Sequence, residues 1–98
     1  MPTRKPSATR KPAAKSPSLV VERVQTGVRI ERRILAVLKA MAELHEMSLG
    51  DLLEGIVLHA MEGKAPFGKE SLARIASLKE VYGLDLAAAH SHKLREAP

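Results

Sequence analysis

Only one stretch of this chain alternates as a β-strand requires. Along Val24-Gln25-Thr26-Gly27-Val28-Arg29-Ile30-Glu31, one face holds Val24, Thr26, Val28 and Ile30 and the other Gln25, Gly27, Arg29 and Glu31. A period of two predicts a strand with one face buried. A lone strand leaves its backbone N–H and C=O groups unpaired, which is costly where one face is buried. The cheapest partner is the same strand from a second copy, antiparallel about a two-fold axis. The expectation is a homodimer that shares a two-stranded ribbon.

After Glu31 the apolar period becomes helical. Ile34, Val37, Leu38, Met41, Ala42 and His45 recur at spacings of three and four and predict a first amphipathic helix. Ser48 reads as an N-cap with Asp51 completing a capping-box pattern, and Leu52, Leu53, Ile56, Val57, Ala60 and Met61 carry a second stripe. Gly63 and Pro66 end that helix. Gly55 in its interior costs about 1 kcal/mol relative to alanine and points to a close helix–helix approach there. Residues 69–82 predict a third helix ended by Gly83, and Asp85 is placed to cap a weaker last one containing Leu86, Ala89 and Leu94. The expected fold class is mostly α, with one short strand per chain.

Charge divides the chain. Of 16 Lys and Arg, five (Arg4, Lys5, Arg10, Lys11 and Lys15) lie in residues 1–18, which contain no acid and four of the six prolines. The remaining 11 basic side chains equal the 11 acidic ones, so the net +5 belongs to the arm. A short repeat, Thr3-Arg4-Lys5-Pro6 and Thr9-Arg10-Lys11-Pro12, reinforces its low complexity. Such a segment cannot bury apolar surface and is expected to be disordered. One-sign charge on a flexible end suits a polyanion, and nucleic acid is the favoured partner over a merely solubilising role. The rest has Phe67 and Tyr82 as its only ring aromatics and much alanine, a marginal core for a small domain alone. That argues for self-association a second time.

Several classes are set aside. With no cysteine, disulfides and thiolate chemistry are excluded, and a cytoplasmic location fits. No apolar run approaches the roughly 20 residues that span a bilayer, and the arm lacks the apolar core of a secretory signal. His90 and His92, two apart, point in different directions with no completing ligands, so no metal or other cofactor is expected. His45 and His59 read as half-buried fillers. Neither a phosphate loop nor a nucleophile motif is present, and the chain is not expected to be an enzyme.

The strand, the two helices and the Ser48 cap over residues 25–61 resemble the ribbon-helix-helix family of Arc- and MetJ-like DNA-binding repressors. The family commonly has glycine in the inter-helix turn, where this chain has Glu46. The resemblance implies a dimer whose ribbon enters the major groove. Base contacts then fall on Gln25, Gly27 and Arg29, and the phosphate clamp on the amides of Leu49 and Gly50. Independently of the family, Gln matches the edge of adenine and Arg that of guanine, and helix N-termini suit phosphate. Arg32, Arg33 and the arm residues Arg4, Lys5, Arg10, Lys11 and Lys15 are further candidate phosphate contacts. The expected organisation is a basic arm (1–18), a ribbon-helix-helix domain (19–63) and a helical extension (64–98). The expected function is a DNA-binding transcriptional regulator. Variants are an antitoxin or a plasmid-partition protein, whose toxin or partition ATPase would bind residues 64–98. The rival is a protein–protein adaptor that has lost base reading.

Overall fold

A computed structural model describes residues 18–97, and the five arm cations Arg4, Lys5, Arg10, Lys11 and Lys15 lie outside it. Three helices follow an irregular lead-in: α1 (Arg32–Leu44), α2 (Leu49–Met61) and α3 (Lys69–Tyr82). Beyond α3 the chain is irregular, apart from one 3₁₀ turn at Ala88–His90.

Each helix starts and stops for local reasons. The Glu31 carboxylate accepts the amides of Arg33 and Ile34, both at 2.9 Å, and places negative charge at the positive end of α1. Ser48 Oγ accepts the Asp51 amide at 3.1 Å and opens α2, as its sequence position predicts. All three helices end in a left-handed residue that lets two amides turn back onto the last carbonyls. For α2 and α3 that residue is glycine, Gly63 with φ 72° and Gly83 with φ 65°. For α1 it is Glu46, with φ 55°, whose amide donates to Glu43 O at 3.0 Å while that of Met47 donates to Ala42 O at 3.0 Å.

The core is small and centred on α1. Val37, Met41 and Ala42 of α1 and Leu52 of α2 are buried, with Leu38, Ile56, Phe67, Ile75, Leu78 and Leu84 packed around them. It therefore draws on both sides of residue 63. Both α2 and α3 pack on α1 and not on each other. The predicted α1 stripe holds except at its end, where His45 is exposed. Of the predicted α2 stripe only Leu52 is buried; Val57 and Met61 face outward, with Met61 77% exposed. No residue of α3 is buried, and Ile75 and Leu78 make its contact with the core.

The expected strand is not formed. Among the described residues there is no β-strand, so neither a ribbon-helix-helix unit nor its strand pair is present. Residues 18–30 run without a hydrogen-bonding ladder, with Val24 and Val28 74% or more exposed and only Ile30 half-buried. A strand exists by virtue of a neighbour, and the chain offers no second segment to pair with this one. Two smaller expectations also fail. A Cβ on Gly55 would meet nothing within 4 Å, so no close helix approach occurs there. Asp85 caps no helix because its carboxylate binds Arg33 instead, and the predicted last helix shrinks to the turn at Ala88–His90.

Candidate nucleic-acid interface

The lead-in segment is held to the helices by arginines. Arg23 Nε and Nη2 each donate to the Glu54 carboxylate at 2.8 Å, a two-bond fork onto α2. Arg29 makes a second fork: Nε donates to Glu96 Oε2 at 2.8 Å and Nη2 to Oε1 at 2.5 Å. Arg33, on the first turn of α1, is shared three ways. Its Nε donates to Glu31 at 2.9 Å, and its Nη1 to Gly83 O and to Asp85, both at 3.0 Å. These bonds hold the carboxyls of Glu54, Glu96 and Glu31 below the usual carboxylate range, the arginine hydrogen bond being the largest cause in each case.

The residues nominated for base reading lie on this segment. Gln25, Gly27 and Arg29 are all exposed, and the space where a Gly27 side chain would stand is open. The apolar face of the expected strand is not covered here either: Val28 is 74% exposed.

The phosphate candidates divide. Arg32 is exposed and makes no ion pair among the described residues. Arg33 keeps 37% of its side chain exposed and is engaged as above. Leu49 and Gly50 form the open first turn of α2, where Ser48 satisfies the amide of Asp51 and the Asp51 carboxylate stands beside them. Arg29 and Arg33 are brought toward one segment, residues 84–97, which supplies carboxylates to both. Arg29 and the Leu49–Gly50 turn share no bonded partner, so no single clamp unites them.

Sequence reasoning missed Arg23, Glu54 and Glu96. Their partners are 31 and 67 residues away, beyond any local spacing rule. The half-buried reading of His45 and His59 is also corrected, since both are exposed; the His59 ring nitrogen Nδ1 lies 2.8 Å from Gly55 O. His90 Nδ1 accepts the Ala87 amide at 2.8 Å, and among the described residues no group of three His, Asp or Glu side chains is placed to hold a metal.

The described hollows are open grooves rather than enclosed chambers. One of about 320 Å³ lies against α2 and is lined by Met47, Leu52, Ile56 and Phe67, with His45 and His59 among its polar groups. Among the described residues no helix is long and apolar enough to cross a membrane. No protein family, no curated protein and no solved structure matches this chain.

Proposed function

We propose that the protein is a DNA-binding regulator that acts as a homodimer, gripping phosphates with its basic arm and presenting Gln25 and Arg29 to base edges. The observation that carries this reading is one of continuity. Five cations with no intervening acid lead directly into an exposed, irregular segment that Arg23 ties to α2. Arm cations release counterions from phosphate whatever the sequence, whereas Gln and Arg have the donor geometry to choose adenine and guanine. Laid out straight along DNA, the four residues from Gln25 to Arg29 would span about 13 Å, roughly four base-pair steps.

The homodimer rests on α2. Leu58 and Met61 are 64% and 77% exposed and Val57 is 45% exposed, on the side away from α1. A helix apolar on nearly all sides belongs in an interior. The charge on this face, Glu54, is already paired with Arg23, so a second copy of the same patch can cover it without burying an unpaired ion.

Fluorescence anisotropy with a short labelled duplex tests the reading. Replacing Arg4, Lys5, Arg10, Lys11 and Lys15 with Gln in the full chain should weaken binding strongly at low salt. It should also flatten the slope of log K against log salt by about 0.9 for each phosphate that is no longer neutralised. Absence of binding by the unmodified protein even at low salt overturns the proposal and leaves the α2 face as the working surface of a protein–protein adaptor.

A further inference from the structure

The carboxylates of the C-terminal segment occupy the groups that the proposed function needs. Glu96 takes both outward N–H donors of Arg29 in a fork at 2.8 and 2.5 Å, and Asp85 takes Nη1 of Arg33 at 3.0 Å. The two acids belong to one stretch, residues 84–97, whose only regular structure is the turn at Ala88–His90. Leu84 and Leu86 hold its beginning half-buried, and from Ala87 to Ala97 every residue is exposed. Anchored at one end and open along the rest, the stretch is built to let go.

A carboxylate fork on a guanidinium has the geometry of phosphate or of the guanine edge, and uses the same donors. The two ligands exclude each other. We propose that residues 84–97 form a strap, neutral overall because Lys93 and Arg95 balance its two acids, whose Asp85 and Glu96 carboxylates stand in for DNA on Arg33 and Arg29 and are displaced when DNA binds. This rests on the DNA-binding reading and adds its regulation. The strap is tethered, so it competes at a high effective concentration without needing tight contacts. Its pairs are weak because they are wet, Arg29 being 83% and Glu96 68% exposed. It therefore sets a threshold that cooperating phosphate contacts overcome. Glu54 on Arg23 is the contrasting case: that pair ties the lead-in to a helix, not to an irregular tail.

The test uses the full chain with Glu96→Gln and Asp85→Asn, singly and together. Two readouts are taken: anisotropy with duplex DNA, and the side-chain Nε–Hε NMR signals of Arg29 and Arg33 without DNA. The expected result is a two- to five-fold gain in DNA affinity at low salt for Glu96→Gln, about what one exposed charge pair gives. A shift of the Arg29 signal should accompany it, and adding DNA to the unmodified protein should move the amides of residues 94–97. An Arg29 signal unchanged by Glu96→Gln means that the pair does not form in solution and overturns the strap. A shifted signal with unchanged affinity overturns the competition. If no variant binds DNA, the underlying function fails and the strap with it, whereas binding with no gain from Glu96→Gln removes the strap alone.

Discussion

Arg23 and Glu54, 31 residues apart in sequence, meet in two parallel hydrogen bonds of 2.8 Å. This fork is the first firm attachment of the lead-in to the helices, since Val20, Val21 and Val24 contribute little packing at 61% exposure or more. Replacing Arg23 with Gln should raise the hydrogen-exchange rate of amides 20–28. Helical content should be unchanged and the melting temperature should move by no more than about 2 °C, because exposed ion pairs contribute little to global stability. Unchanged exchange in that segment would mean that something other than the fork orders it.

Met41 is the most buried large side chain, 1% exposed, and touches the core on the face that receives both other helices. Met41→Ala should cost about 2–5 kcal/mol through reduced burial and the cavity left behind. With four buried residues in the core, that change should leave the protein largely unfolded at 37 °C by circular dichroism. A variant that melts within a few degrees of the parent would show that the core is supported elsewhere.

Glu46 adopts a left-handed conformation with φ 55° where the other two helices end in glycine. A side chain in that region is strained, and glycine removes the strain at some cost in unfolded-chain entropy. Glu46→Gly should stabilise by about 0.5–1 kcal/mol and raise the melting temperature by several degrees. A fall in melting temperature would mean that Glu46 makes an interaction worth more than its strain.

Three glutamates are held low by arginine: Glu31 by Arg33, Glu54 by Arg23 and Glu96 by Arg29. With pKa values lower folded than unfolded, the native state binds fewer protons. Their stabilisation is fully present above the ordinary glutamate pKa near about 4.3 and is lost as pH falls through the lowered values. Thermal melts taken from neutral pH down to about pH 3 should show a modest, progressive decline that begins below about pH 4.5. Glu31→Gln should flatten part of it. A melting temperature independent of pH in that window would rule out these pairs as contributors.

The outer face of α2 predicts its own assembly. Leu58→Asp with Met61→Asp should place like charges on both sides of the proposed interface and yield a folded monomer in sedimentation velocity, with the helical spectrum retained. Both residues lie away from α1, so the monomer keeps its core packing. An unmodified protein that sediments as a monomer at micromolar concentration would already defeat the idea.

Much of the helical frame is legible in the sequence because its causes are local. The α1 stripe, the Ser48 cap and the glycines at 63 and 83 are set by residues within a turn or so of one another, whereas of the expected α2 stripe only Leu52 is buried. The lead-in is misread because alternation establishes only that a segment suits a strand, while pairing depends on a second segment. Asp85 is misread for a related reason: a cap and an ion pair want the same carboxylate, and Arg33, 52 residues away, takes it. For the candidate site, the spacing of Gln25, Gly27 and Arg29 is visible in advance. What faces Arg29 is not, since no pattern links it to Glu96.

The packing of both α2 and α3 on α1, with neither on the other, sets an order of local opening. A helix with no buried residue, joined to the core through Ile75 and Leu78, is the part with least to lose by detaching. When α3 swings away, α1 and α2 keep Val37, Met41, Ala42 and Leu52 together. The departing helix draws residues 84–97 with it, since they follow Gly83 directly, and so takes Asp85 and Glu96 from their arginines. Partial unfolding of α3 is therefore a second route to unmasking, and proteolytic nicking near Gly68 should report on it.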